Sequence, residues 1–402
     1  MKFSLSKALP KALSRPPDAK SAPEPAPLVA LELARRGVAA EAPAGFAGLS
    51  REGYRSNPVV YRCVRLLSET AASVPLKVGG REAGAVEALL GGTSPTGGVR
   101  AVEAAFAHLA MTGSAYLRAS TMGERPVALH ALRPDGVRVA TDPRGRAVGW
   151  VVEEGGAARR YRFDPVSHRS PILAMHLFDP LDAGNGRGPL EACAGAVSIH
   201  NEGAKWTRAL LGNAARPSGA LVYSGPPGAE RLSDAQFQRL RSELADQHTG
   251  AGSAGRPLLL EGGLDWRPMS LSPADMDFIE ARREAAREIA LAFGVPPMLL
   301  GIPGDNTYSN YREANLALWR QTVVPSVQRM ANALGNWLRP WLGDDIALAP
   351  DLDAVPALGA ERDALWARLG AADFLSDGER RAMAGLAAGT LAAGTLATGT
   401  GA

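Results

Sequence analysis

At 402 residues, 46% hydrophobic and 21% charged, the chain can hold two or three domains with cores of their own and has a globular composition. Its 44 basic residues are nearly matched by 41 acidic ones, for a net charge of +3. That balance argues against a surface that grips nucleic acid tightly all over, because each phosphate contact strengthens binding by counterion release. No apolar run approaches the roughly 20 residues of a membrane span. Pro10, Pro16 and Pro17 also fall where a signal peptide would need its apolar stretch, so synthesis in the cytoplasm and no membrane contact are expected.

Residues 1–45 are expected to be disordered, because Pro10, Pro16, Pro17, Pro23, Pro25 and Pro27 interrupt any helix. The first helix is expected over 58–74. Asn57 is its N-cap, Pro58 fills the first position, Pro75 stops it, and Val60, Val64, Leu67, Ala71 and Val74 form one apolar stripe. A second helix follows over 99–111. Strand patterns then cover 114–121, 127–132, 137–141, 147–153, 158–163 and 172–178, with hairpin signals at Asp135-Gly136 and Gly155-Gly156. Together these predict an α+β region with an antiparallel sheet.

A helix is predicted from 189 to about 214, then a strand at 219–223. Ser233 and Gln236 make a capping box for a helix with Phe237, Leu240 and Leu244 on one face. Strand segments are expected at 257–260 and 265–268. Ser272 should cap a further helix that Gly294 and Pro296 close. After a polar stretch at 304–310 the longest helix is expected over 311–342, with Pro325 kinking it. Its stripe is Leu316, Trp319, Val323, Val327, Met330, Leu334, Trp337 and Trp341. A last helical region covers 361–386, and 386–402 is a low-complexity glycine–threonine tail.

Catalytic patterns are missing from this sequence. None of the six histidines stands in a metal-binding spacing, and Cys63 and Cys193 read as two buried free thiols. His130 and His176 fall in strands and read as structural. Asp179, Asp182, Asp344 and Asp345 lie beside proline or glycine, where aspartate serves turns. The loop Gly184-Asn-Gly-Arg-Gly188 resembles a phosphate loop but lacks the glycine spacing and the following Lys-Ser or Lys-Thr. No enzyme activity and no cofactor are expected, and without a Walker A motif any ATP-driven step would fall to a partner ATPase.

The order of segments carries a resemblance. Asn57-Pro-Val-Val-Tyr-Arg-Cys-Val-Arg-Leu-Leu-Ser-Glu-Thr-Ala-Ala-Ser-Val-Pro-Leu-Lys77 is followed by Gly113-Ser-Ala-Tyr116 and by Leu129-x-x-Leu132-x-Pro134-x-x-Val137. Next come Gly186-x-Gly188-Pro-Leu190 and Pro217-Ser-Gly-Ala-Leu221. Ile289-Ala-Leu-Ala-Phe-Gly-Val-Pro-Pro-Met-Leu-Leu-Gly301 and Thr307-Tyr-Ser-Asn310 then lead into the long helix. In this order, over about residues 50–345, they resemble the portal proteins of long-tailed phages. The composition would also suit a gene transfer agent, a phage-like particle encoded by a bacterium, or a prophage.

The resemblance implies the portal fold: an antiparallel-sheet wing (46–189), stem helices (190–215 and 272–294), a small α/β clip (216–271), a tunnel loop with a long kinked helix (295–345), and a short helical crown (346–385). It implies a homo-oligomeric ring, a dodecamer, at the head–tail vertex of a virion or phage-like particle. Double-stranded DNA would pass through it without sequence preference, and the partners would be the packaging ATPase (large terminase), the head–tail adaptor and the major capsid protein. Asp305, Asn306, Thr307, Tyr308, Ser309 and Asn310 would form the tunnel loop. Lys205, Arg208, Arg282, Arg283 and Arg287 are candidates to line the stem channel; their mixture with Glu280, Glu284 and Glu288 is also what any solvated helix face carries. Arg231, Phe237, Arg241 and Trp266 are candidates to meet partners at the clip. Two other readings stay open on the residues alone. One is a different neck or adaptor component, and the other is a nucleic-acid-processing enzyme using loop carboxylates such as Asp344 and Asp345.

Overall fold

The computed structural model describes residues 45–92, 98–182, 184–212, 219–224, 232–248, 264–268, 278–303 and 308–385. The arm expected over 1–45, apart from Gly45, the tail over 386–402, the strand at 257–260 and the cap at Ser272 lie outside the described residues, as do Arg231, Asp305, Asn306 and Thr307.

A short helical turn, Gly45–Gly48, runs into a π turn, Leu49–Tyr54, and then into helix α1, Pro58–Ala72. Asn57 caps α1 as expected: its Oδ1 accepts from the Val59 and Val60 amides at 3.0 and 3.1 Å. The inward stripe is Val60, Cys63, Val64, Ser68 and Ala71, so Cys63 is a core residue. Cys63 and Cys193 are both buried and free, and burial pushes their thiols up to about 12 and about 11, which leaves them protonated and unreactive.

Strand β1 (Leu76–Gly79), helix α2 (Ala83–Leu90) and helix α3 (Val99–Thr112) come next. Strands β2 (Ser114–Met122), β3 (Arg125–Leu132), β4 (Val137–Thr141), β5 (Ala147–Glu154), β6 (Ala157–Arg162) and β7 (Ile172–His176) follow. The expected antiparallel sheet is two sheets, ordered β3-β2-β7 and β4-β5-β6. The reason for the division lies between β3 and β4. There Pro134–Gly136 forms a 3-10 turn that carries the chain across to the second sheet instead of folding it back as a hairpin. Tyr116, Leu132, Val137, Trp150, Val152 and Ile172 form a second, smaller core where the sheets meet, with the Tyr116 and Trp150 rings edge to face at 5.6 Å.

The helix expected from 189 to 214 is broken. A one-turn helix, Pro189–Ala192, stops at Cys193, whose ψ of 17° leaves the helical region, and helix α4 runs from Ala194 to Gly212. Strand β8 (Gly219–Tyr223), helix α5 (Asp234–His248) and strand β9 (Leu264–Pro268) follow, with β8 and β9 antiparallel. The Ser233–Gln236 box forms: the Gln236 amide donates to Ser233 Oγ at 3.4 Å, and the Ser233 amide donates to Gln236 Oε1 at 3.0 Å.

Helix α6 (Phe278–Ala292) leads through a 3-10 turn, Pro297–Leu300, to α7 (Tyr308–Leu318), a π turn (Trp319–Val323) and α8 (Val324–Leu342). The long helix is therefore two helices joined by a π turn, and the distortion precedes Pro325. Pro325 has no amide hydrogen for the carbonyl one turn back, so the chain widens first, and the Val324 amide reaches five residues back to the Trp319 carbonyl. The extra residue rotates the apolar stripe: Leu318 is buried, whereas Leu316 and Trp319 are only partly so. Beyond it the expected Val327, Met330, Leu334 and Trp337 face the core.

Strand β10 (Ala347–Pro350) returns to pair with β1, and helices α9 (Gly359–Gly370) and α10 (Asp377–Met383) end the described chain. The single helical region expected over 361–386 is divided because Ser376 and Glu379 form a reciprocal capping box that restarts the helix.

His108 on α3 stacks edge-on against Phe46 at 5.8 Å, and its Nδ1 is sealed from solvent without a partner among the described residues. Burial lowers its pKa from 6.5 to about 4, with Asp135 opposing and Arg133 assisting, so the folded chain holds it neutral. Because the unfolded chain binds that proton more readily, stability falls as pH drops from 6.5 towards 4. The loss from this group is expected to reach about 2 kcal/mol at pH 5. Urea unfolding at pH 7 and pH 5 checks it: His108→Leu should show a smaller difference between the two pH values than the native chain.

Candidate functional site

Helices α4 and α6 pack side by side, and the segment 304–307 lies between the turn after α6 and the start of α7. This pair is anchored to the body by a buried polar junction. The Asn57 side chain that caps α1 also donates through Nδ2 to Asn201 Oδ1 at 3.0 Å and lies 3.1 Å from His200 Nδ1, both on α4. Asn201 Nδ2 donates in turn to the Glu52 carbonyl at 2.7 Å. Burial, and secondarily the Arg282 charge, hold His200 below its ordinary pKa, so its ring is neutral and Nδ1 is free to accept. Asn57 was legible as a cap, but its link to a helix 144 positions away was not.

The end of α6 is fixed just as closely. Gly294 takes φ +64° to close the helix, and a side-chain carbon there would meet Thr322 Oγ1 at 2.7 Å. The Thr322 hydroxyl donates to the Gly294 carbonyl at 2.8 Å, so the π turn supplies the cap for α6. From the middle of α6, the Arg287 guanidinium donates to the Pro303 carbonyl at 2.8 Å, which holds the chain immediately before residue 304.

The charged candidates on this pair are mostly engaged. Lys205 pairs with Glu202 at 2.8 Å, and Arg283 with Glu280 at 3.4 Å. The aliphatic stem of Arg282 lies against α4, where a side-chain carbon at Gly203 would touch it at 3.8 Å. Arg208 is exposed. Of the loop candidates, Tyr308 and Ser309 open α7, and Asn310 is exposed in its first turn. The insert residues stand apart from this group. Phe237, 54% exposed, and Arg241 lie on α5, and Trp266 sits opposite Leu221 in the β8–β9 pair.

The glycine-rich loop is a packing device. Gly113, at φ +70°, ends α3 directly beneath residues 186–188, and its carbonyl accepts from the Leu177 amide at 2.7 Å. A side-chain carbon on Gly113 would lie 2.4 Å from the Arg187 carbonyl carbon, and one on Gly186 would lie 2.1 Å from the Gly113 oxygen. The Gly186 amide donates to Ser114 Oγ, whose oxygen is 3.0 Å from His176 Nδ1, and His130 Nε2 lies 3.0 Å from Ser120 Oγ, structural roles for both histidines. Asp182 accepts from the Gly184 amide at 2.8 Å, a turn role. Asp345 accepts from the Arg81 amide at 3.0 Å, and the bonds from Arg81 keep its carboxyl below the usual range. Among the described residues no group of His, Cys, Asp and Glu could hold a metal ion, and no helix is long and apolar enough to cross a membrane.

The family model described as phage portal protein matches residues 58–385. The chain belongs to the phage portal protein family. Its portal fold is shared with a chain in the neck of a native gene transfer agent (GTA) particle, computed with C12 symmetry. The two are 46% identical with a TM-score of 0.64, covering 84% of this chain and 92% of that one. A protein of Rickettsia bellii (strain RML369-C), described as uncharacterized, is 40% identical over 342 residues, 83% of this chain and 88% of that protein. The crystal structure of an HK97-family phage portal protein from Corynebacterium diphtheriae matches in fold, with 18% identity and a TM-score of 0.54, over 79% of this chain and 99% of that one. The mixed helix-and-sheet portal architecture expected from the motif order is thus the observed one.

Proposed function

We propose that twelve copies of this chain form the portal ring at the head–tail vertex of a phage-like particle, and that double-stranded DNA passes through the ring during packaging and ejection. The observation that carries this reading is the 46% identity, over 84% of the chain, to a chain of a GTA particle neck computed with C12 symmetry. In it, 46–189 is the wing, α4 and α6 belong to the stem, 216–271 is the clip, 304–310 is the tunnel loop and 346–385 is the crown. The packaging ATPase and the adaptor dock at the clip through Arg231, Phe237, Arg241 and Trp266, and the major capsid protein surrounds the ring.

The electrostatics of the helix pair suit a sliding contact. Lys205 and Arg283 are paired with carboxylates and Arg287 with a backbone carbonyl, so each can displace few counterions from a passing phosphate. DNA would meet polar, partly neutralised walls, without a sequence-reading surface. The chain is fixed on both sides of residues 304–307, by the Arg287–Pro303 bond before them and by α7 after them.

End-on imaging of the purified assembly should show a closed ring many times the 42.0 kDa of one chain. Deleting Asp305–Ser309 should leave that ring intact and reduce DNA packaging or retention at least tenfold, measured as nuclease-protected DNA per particle. A monomeric protein with metal-dependent nuclease activity would overturn the portal reading, and normal packaging by the deletion would overturn the loop's role.

A further inference from the structure

A closed ring built from one repeated contact needs two different surfaces on each chain, because each copy meets one neighbour with one face and the other neighbour with another. Two exposed surfaces here match each other in charge and apolar character. The first is a groove of about 810 Å³ on the β4–β6 sheet, floored by Val148, Val151 and Phe163 and bordered by Arg160, Arg162 and His168. Arg160 and Arg162 stand exposed on β6, and neither has an ion-pair partner among the described residues. The wall is built rather than loose. Asp164 takes the Val166 amide at 3.0 Å and the Ser167 hydroxyl, and His168 is held at φ +56°, a conformation that a non-glycine residue rarely adopts.

The second surface is the connection between α9 and α10. Phe374 is 87% exposed there and Trp366, on α9, is 50% exposed. Asp373 is exposed beside Phe374, and the Asp377 side chain, 94% exposed, has Arg380 of its own helix at 3.6 Å. An aromatic ring this bare between two carboxylates is an anchor waiting for an apolar floor with basic edges. The two surfaces are tied to different ends of α8. The groove is tied to the far end of α8 by the Arg169 bond to the Pro340 carbonyl at 2.9 Å. The start of α9 is tied to the π turn before α8 by the Arg320–Glu361 pair. Nineteen residues of α8, about 28 Å of helix, separate these two anchors.

We propose that the acidic aromatic knob Asp373–Asp377 of one copy docks in the arginine-edged groove of the next copy, with Phe374 on Val148 and Val151 and the carboxylates on Arg160 and Arg162. This rests on the ring reading above and assigns part of the contact that closes it.

Sedimentation of the purified full-length chain tests it. Arg160→Glu with Arg162→Glu is expected to weaken assembly at least tenfold in protein concentration, and adding Asp373→Arg with Asp377→Arg should recover most of that loss. Independently, a short bis-maleimide should link Val148→Cys to Phe374→Cys between subunits in a doubly substituted chain, giving a ladder of multimers, and should link neither single variant; the natural cysteines are buried. If the native chain forms no ring, the portal reading falls and this contact with it. Native rings together with unweakened charge-reversed rings, or rings without the cross-linked ladder, would sink this contact alone. Unchanged rings that lose another particle protein would give the groove to that partner instead.

Discussion

Gly113→Ala is expected to destabilise the fold by about 4 kcal/mol, enough to leave much of the protein insoluble. The left-handed backbone at φ +70° accounts for about 1–2 kcal/mol of this in any L-residue. The rest comes from contact with backbone, which has no rotamer to escape into: the new methyl would sit 2.5 Å from the Arg187 nitrogen and 2.6 Å from the Gly186 carbonyl carbon. Either residues 186–188 retreat and break the Leu177–Gly113 bond, or α3 ends differently and shifts β2. Gly145→Ala is the matching control, since that glycine has φ +80° with open space around it, and its loss should stay near 1 kcal/mol. Urea midpoints of the two variants separate strain from collision, and equal losses would refute the close-packing account.

Asn57→Ala should cost about 3 kcal/mol, because one side chain closes two different accounts of hydrogen bonding. The cap contributes about 1 kcal/mol through the amides of Val59 and Val60. The amide nitrogen contributes the remainder, since its removal strands Asn201 Oδ1 and His200 Nδ1 in a region where both residues are buried. Asn57→Ser keeps a capping oxygen and loses the bridge, so its loss should fall between those of the native chain and Asn57→Ala. Thermal unfolding of the three proteins checks this, and a serine variant as unstable as the alanine variant would contradict the division.

What was legible in the sequence follows from range. Caps and stripes are local, so Asn57-Pro58, the Ser233–Gln236 box and the run Val327, Met330, Leu334, Trp337 read correctly. β1 and β10 are four residues each, too short for a period to show, and each is a strand only because the other is beside it. β7 joins the first sheet, against β2 rather than β6, which no hairpin signal records. Pro325 announced a disturbance, but not that the turn before it places Thr322 to serve Gly294 across 28 positions. The candidate site was legible mainly as motif order. His200, Asn201 and Thr322 carry no pattern of their own, and their roles appear only once α4, α6 and the π turn are side by side. The Ser376–Glu379 box was local and readable, and the apolar alanines around it masked the stop.

The pairing of β1 with β10, reinforced by the Arg81–Asp345 contact across 264 positions, has a bearing on how the protein is made. While a ribosome is still translating the insert and α6, β1 has no strand to lie against, and the core around α1 lacks the α8 side chains that fill it. At about 5–20 residues per second, that interval lasts on the order of tens of seconds. During it, an apolar edge strand is open to any passing chain, and many identical chains are being made for one assembly. Fragments released early would carry β1 without its cover and could join a neighbour wrongly. Only chains translated past Pro350 can close the body around β1.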